Sequence, residues 1–118
     1  MQQKKILIVD DEPDILEILQ LILEDEGYLT HTVANVPPLD GLLRFQPDLI
    51  LLDVLLSGSD GRAICRQLKS QSSTEHIPVV LMSAHGKAAA ARAESGADDF
   101  LAKPFDLSVL LTTIHHYV

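Results

Sequence analysis

The stretch Pro47-Asp48-Leu49-Ile50-Leu51-Leu52-Asp53-Val54-Leu55-Leu56-Ser57-Gly58-Ser59-Asp60-Gly61 decides how the rest of the chain reads. Asp48 is followed by four consecutive aliphatic residues, Leu49 to Leu52, a run that suits a strand covered on both faces in a parallel sheet. The run ends on a carboxylate, Asp53. After three more apolar residues the chain turns polar and flexible at Ser57 to Gly61. An acid at the very end of a buried strand lies where open α/β sheets carry their chemistry.

Working outward, Gly61–Ser70 predicts a helix with Ala63, Ile64, Cys65 and Leu68 on its inner side, and residues 77–82 (IPVVLM) predict a strand closed by Ser83 and Ala84. Residues 87–95 (KAAAARAES) predict an alanine-rich helix of high intrinsic propensity. Its small side chains bury little area, so the segment around Ala88 to Ala91 is expected to be weakly anchored and a mobile element. Gly96 closes it. Asp99–Lys103 (DFLAK) reads as a strand that Pro104 breaks, and Leu107, Leu110, Leu111, Ile114 and Val118 form the inner stripe of a last helix. Upstream, residues 29–34 alternate weakly as a short strand. The helix after them has Asn35 as its cap, Pro37 and Pro38 at its start, and Leu39, Leu42 and Leu43 on its buried side. Residues 4–10 (KKILIVD) form a first strand ending in Asp10, Asp11 and Glu12. Pro13 then opens a helix carrying Ile15, Ile18, Leu19, Ile22 and Leu23, which stops at Gly27.

The pattern is strand–helix repeated five times. It predicts an α/β fold, a flavodoxin-like (βα)5 doubly wound parallel sheet with strand order 2-1-3-4-5. No linker, internal repeat or low-complexity tail interrupts it, so one domain is expected over residues 1–118. A 47% hydrophobic content supplies a core. The 17 acids against 9 lysines and arginines, a formal charge of −8, argue against nucleic-acid binding by this segment, which would need a basic stripe. Cys65 is the only cysteine, so no internal disulfide can form. The short apolar run near the N-terminus is too brief for a signal peptide or a membrane span, and a cytoplasmic location with no membrane contact is expected.

In a 2-1-3-4-5 sheet, Asp10 and Asp11 from strand one, Asp53 from strand three, Ser83 from strand four and Lys103 from strand five converge on one edge. Three crowded carboxylates repel unless a cation joins them, and a hard divalent ion such as Mg²⁺ takes a few carboxylates plus water. Such an ion also binds phosphoryl oxygens, Lys103 neutralises another and the Ser83 hydroxyl donates to a third. These are the parts phosphoryl transfer to a carboxylate needs, with Asp53 as nucleophile.

At this point the sequence resembles the receiver domain of two-component response regulators. The matching pieces are Val9-Asp10-Asp11-Glu12, Asp53 within LLDVLLSGSDG, Met82-Ser83-Ala84, and Gly96 through Phe105 (GADDFLAKPF), in order and over essentially the whole chain. The resemblance implies that Asp53 takes phosphate from the phosphohistidine of a sensor histidine kinase or a phosphotransfer protein. It implies that Asp11 binds Mg²⁺ (or Mn²⁺) directly, that Asp10 helps through water, and that the Leu55 backbone carbonyl is a further ligand. It implies that Ser83 and Lys103 contact the phosphoryl group and that the Lys103–Pro104 bond is cis. It also implies a switch in which Ser83 is drawn to the phosphoryl group and Phe100 turns inward. That change reshapes the surface formed by the 87–95 helix, the Asp99–Lys103 strand and the last helix, for a downstream effector protein or domain or for a homodimer. Two departures stand out. The family usually has proline where Ser57 stands and an apolar residue where Ser59 stands, so this loop is expected to be less rigid and less tied to the core, with phosphotransfer retained.

Each group has a plainer reading alone: Asp10 and Asp11 as helix caps, Lys103 as a solvated side chain, Ser83 as a strand-end hydroxyl, Phe100 as core. His85, at a position where the family varies, reads as exposed and without a role. His115 and His116 read as a solvated helix end, because adjacent helical residues point apart. Asp98 and Asp99 read as turn and strand-edge acids, and Cys65 as a small core residue. Three rival functions are weighed. An aspartyl-nucleophile phosphatase would need a second acid two residues after Asp53, where Leu55 stands. A flavin mononucleotide carrier would need a hydroxyl- and glycine-rich loop after strand one, where Asp-Asp-Glu-Pro stands. A degenerate receiver acting unphosphorylated would not keep the acid cluster. The chain is therefore read as a switch and not an enzyme.

Overall fold

The computed structural model describes residues 3–35, 37–56, 58–84 and 95–118. Five strands, β1 (Lys5–Val9), β2 (Leu29–Val33), β3 (Leu49–Asp53), β4 (Val79–Ala84) and β5 (Asp99–Lys103), form one parallel sheet in the order 2-1-3-4-5. Four helices are described: α1 (Pro13–Asp25), α2 (Leu39–Phe45), α3 (Gly61–Ser70) and α4 (Leu107–Tyr117). The flavodoxin-like order expected from the strand–helix alternation is the observed one. The expected helix over 87–95 lies outside the described residues except for Ser95, as do Ser57, His85 and the side chain of Leu39.

Successive strand residues point to opposite faces, which divides the core in two. On one face Leu7, Val9, Ile50, Leu52, Val79 and Leu81 pack against Leu42 of α2 and Cys65 and Leu68 of α3. On the other, Ile6, Ile8, Leu49, Leu51, Val80 and Met82 pack against Leu19 and Leu23 of α1 and Leu110 and Ile114 of α4. β3 lies between β1 and β4 and is buried along its whole length, as its aliphatic run requires.

Several boundaries and faces differ from expectation. β4 begins at Val79 rather than residue 77, because Pro78 has no N–H to give and the Ile77 N–H is spent on Thr74 O at 3.0 Å. Asn35 does not cap α2. The N-cap is Pro38, extended at ψ 155°, with no side-chain cap, so the two prolines hold the chain straight until Leu39. Ile18, Leu43, Ala63 and Leu107, all expected inward, are exposed. A helix lying on one sheet face buries only the centre of its apolar stripe: in α1 that centre is Leu19 and Leu23, flanked by half-buried Ile15 and Ile22. Gly27 and Gly96 do follow helical residues at positive φ, as expected of glycine stops. Asp106, not singled out in the sequence, caps α4 by accepting the N–H groups of Ser108 and Val109.

The segment after β3 is a small hairpin, Leu55–Leu56 paired antiparallel with Ser59–Asp60, with Gly58 at φ 75° in its turn. Leu56 is buried in the core, and Ser59, paired with it, is exposed. Asp60 then caps α3 by accepting the Arg62 N–H at 2.9 Å.

Candidate functional site

The strand register builds the site. Val9 stands opposite Leu52, so the next residues, Asp10 and Asp53, leave the sheet side by side. Met82 stands opposite Asp53 and Ala84 opposite Lys103, which brings Ser83 and Lys103 to the same edge. Asp10, Asp11 and Asp53 each offer a carboxylate oxygen, and these oxygens all lie within 4.8 Å of one another. Asp10 is fully buried and Asp53 is only 5% exposed, while Asp11 is half-buried.

Lys103, 14% exposed along its side chain, is the cation of the cluster. Its Nζ donates to Asp10 Oδ2 at 2.7 Å, lies 3.3 Å from Asp53 Oδ2 and 3.9 Å from Glu12 Oε1. The Lys103–Pro104 bond is cis, as the resemblance implied. Asp10 has its other oxygen, Oδ1, fixed by the N–H of Glu12 at 2.9 Å. In the sequence Glu12 ends the acidic run and the matching piece Val9-Asp10-Asp11-Glu12, with no role of its own. Its backbone orients Asp10 and its carboxylate adds to the charge near Lys103, and the unbroken Asp-Asp-Glu run is the signal for it.

Asp10 and Asp53 are both within reach of the Lys103 ammonium, and Asp11 lies in the same cluster of oxygens. Burial raises the pKa of Asp53 above the ordinary aspartate value, and the charge of Asp10 raises it further, against the opposing pull of Lys103 and the Leu55 N–H. Burial alone would lower Lys103, but its hydrogen bond to Asp10 and the charges of Asp53 and Asp10 outweigh burial and hold it above the ordinary lysine value. The donor set is all hard oxygen, which suits a cation such as Mg²⁺ or Mn²⁺ and not a thiophilic ion. The acidic pocket can hold a metal, and the residues present fit one.

The other expected residues fall as follows. Ser83 is buried at this edge, and its hydroxyl donates to its neighbour's carbonyl, Ala84 O, at 3.3 Å, not to the acids. The Leu55 backbone adjoins Asp53, to whose carboxylate it gives its N–H, while its side chain stands 76% exposed. Phe100 is half-buried and pairs with Leu81, three residues before Lys103, so it lies away from the acids. His115 is not merely solvated: its Nδ1 lies 2.8 Å from the Tyr28 hydroxyl. Cys65 is a fully buried core thiol, as expected. Asp98 is more than a turn acid, because it accepts the Val79 N–H at 2.8 Å and pairs with Lys69 at 2.6 Å.

Comparison with known proteins gives a consistent result. The family model described as the response regulator receiver domain matches residues 6–115. The chain is 36% identical over 113 residues to the DNA-binding dual master transcriptional regulator RpaA of Synechocystis, covering 93% of this chain and 47% of that protein. It is 42% identical over 113 residues to the response regulator PleD of Caulobacter vibrioides, covering 93% of this chain and 25% of that protein. The structure of the chemotaxis protein CheY4 of Vibrio cholerae superposes with a TM-score of 0.86 at 25% identity, covering 99% of this chain and all of that one. The chain thus spans about half or less of the curated relatives it matches. Among the described residues no helix is long and apolar enough to cross a membrane.

Proposed function

The chain belongs to the response regulator receiver family, and from that premise we propose that Asp53 accepts a phosphoryl group and that residues 1–118 act as one phosphorylation-operated switch. The single observation that carries this reading is the convergence of Asp10, Asp11, Asp53 and Lys103 at the carboxyl edge of the sheet. A carboxylate oxygen of Asp53 forms a bond to phosphorus as the P–N bond of a donor phosphohistidine breaks. The electron pair stays on the imidazole nitrogen, which takes a proton from solvent. The donor is a sensor histidine kinase or a phosphotransfer protein, and the setting is cytoplasmic.

Asp10, Asp11, Asp53 and the Leu55 carbonyl would hold Mg²⁺, which supplies charge neutralisation for the incoming phosphoryl oxygens. Lys103 is already aimed between Asp10 and Asp53, and its raised pKa keeps it cationic at neutral pH. Its 3.3 Å approach to Asp53 supports a role in holding a phosphoryl oxygen once Asp53 is an acyl phosphate. Ser83 is buried at the same edge and, among the described residues, its hydroxyl donates to its neighbour's carbonyl at 3.3 Å, a long bond that it can exchange for one to that group. Phe100, half-buried on β5, is the proposed follower in the switch. The new dianion biases an existing equilibrium between two states rather than building a new fold. The β5–α4 face would then meet an effector protein or domain, or a second copy of the chain. Receiver domains are generally regulatory switches, and the apolar Leu55, where a phosphatase needs a proton-transferring acid, supports a switch that does not turn over substrate.

The test is intact mass spectrometry after acetyl phosphate with Mg²⁺, on the parent and on Asp53→Ala. One hydroxylamine-labile phosphoryl adduct is expected in the parent, lost in Asp53→Ala and lost on chelation. A parent without an adduct, or with one that ignores chelation, would refute the reading.

A further inference from the structure

We propose that Gly61 is a positioning residue for Asp53: its missing Cβ lets the first turn of α3 close onto the peptide that carries the acceptor carboxylate. The inference rests on the reading of Asp53 as phosphoryl acceptor. A Cβ built on Gly61 would stand 2.1 Å from the carbonyl oxygen of Asp53, 2.9 Å from its carbonyl carbon and 3.0 Å from Cα of Val54. All three are backbone atoms, so no side-chain rotation can make room. Positive φ occurs among the described glycines at Gly27, Gly58 and Gly96 only. Gly61 is therefore required for space, whereas Gly58, three residues earlier at φ 75° with nothing within 4 Å, is required for conformation.

The peptide beneath Gly61 is held from two sides. The Val54 N–H donates to Met82 O of β4 at 2.9 Å, and the Val54 carbonyl accepts the Gly61 N–H at 2.8 Å. α3 cannot back away freely, because Asp60 caps it and Cys65 and Leu68 anchor it in the core. Asp53 also accepts the N–H of Leu55, one peptide further on. Asp10, Asp11 and Lys103 belong to other segments of the chain, so a displaced 53–54 peptide moves the acceptor relative to all three. Opening the gap from 2.1 Å to an ordinary contact of 3.4 Å requires more than an ångström. In a positioned reaction a misplacement of about 1 Å costs about a hundredfold.

The experiment compares Gly61→Ala with Gly96→Ala. Gly96 lies at the opposite edge of the sheet at φ 76°, and its nearest neighbour to an added Cβ is Lys69 Cγ at 4.0 Å, so alanine there strains the backbone without moving Asp53. Measured for each are the melting temperature, the rate of labelling by acetyl phosphate, and the Mg²⁺ concentration giving half that rate. Gly61→Ala is expected to slow labelling or weaken Mg²⁺ dependence by roughly ten- to a hundredfold. Gly96→Ala is expected to lose melting temperature and label at the parental rate. Parental labelling in Gly61→Ala, or slowing in both variants in proportion to lost stability, would overturn the proposal. An unlabelled parent would bring down the acceptor reading instead, and Gly61 would then be judged on the crystal structure of the variant, where an unmoved Asp53 overturns it. If Gly61→Ala does not fold, the parent decides: on titration with beryllofluoride and Mg²⁺ the Gly61 amide resonance should shift with those of Asp53 and Leu55, and a stationary Gly61 signal overturns the coupling.

Discussion

At the edge where the strands begin, two aspartates are fully provided for. Asp48 accepts the Lys5 N–H at 2.8 Å and returns its own N–H to Lys5 O at 2.7 Å. Asp98 does the same with Val79, at 2.8 and 2.9 Å, and adds an ion pair to Lys69 at 2.6 Å. At the edge where the strands end, Asp10, Asp11 and Asp53 face one another within 4.8 Å with Lys103 reaching between Asp10 and Asp53. The difference follows from the direction of a parallel sheet. First residues of strands leave N–H groups over, which carboxylates satisfy. Last residues leave carbonyls over, which carboxylates cannot. An acid at the first edge is a staple for backbone N–H groups, and the acids at the second crowd into a pocket that can hold a cation.

The largest effect that can break this contrast is Asp98→Ala. It strands the Val79 N–H and leaves the Lys69 ammonium, 19% exposed, without its carboxylate. Losing a charged hydrogen bond and half of a mostly buried pair costs about 3 kcal/mol, or roughly 12 °C in a domain of this size. Labelling at Asp53 should persist below the new melting point. A loss under about 1 kcal/mol in denaturant melts would mean that the staple is ornamental and the two edges are alike.

Asp53→Asn should act with the opposite sign. Because burial and the charge of Asp10 raise the Asp53 pKa in the folded protein, the carboxylate penalises folding. The penalty is absent below the unfolded-state value, grows as pH rises toward the folded value, and is constant above it. In chelator at neutral pH the variant should therefore melt higher than the parent, by less than Asp98→Ala loses, and the gain should vanish at acid pH. Mg²⁺ should reverse the order. At a hundred times its Kd it stabilises the parent by about 2.7 kcal/mol, and the variant, one ligand short, by less. Equal melting of parent and variant in chelator would sink the idea that the carboxyl edge is electrostatically strained.

These edges were not equally legible. The strained one could be read from the chain, because an aliphatic run closing on an acid recurs at Asp10 and Asp53, and a 2-1-3-4-5 sheet leaves such acids nowhere else to go. The stapled one could not. Asp98 and Asp99 look alike in sequence, and only the register shows that Asp98 meets the Val79 N–H while Asp99 bonds the adjacent Phe100 N–H. The same limit explains Leu43 and Leu107. Periodicity says that a helix has an apolar face, but how wide a sheet covers it depends on docking that a single helix does not encode. Asn35 was misread for a related reason: a capping side chain is a local signal, and the extended Pro37-Pro38 pair overrode it.

The smallest expected effect sharpens the comparison. Tyr117, on the last turn of α4, donates its hydroxyl to Asp98 O at 2.9 Å and to Asp99 Oδ2 at 3.2 Å, tying the C-terminal helix to the stapled edge. Tyr117→Phe keeps the ring and removes these bonds. Both acceptors are partly open to water, which replaces the lost donor, so the cost should be about 1 kcal/mol. Neither the Mg²⁺ requirement nor the labelling rate should change, because Asp98 and Asp99 lie where β5 begins, at the other end of the strand from Lys103. Were Tyr117→Phe instead to alter labelling while barely moving the melting point, the two edges would be coupled through β5 and could no longer be treated as separate devices.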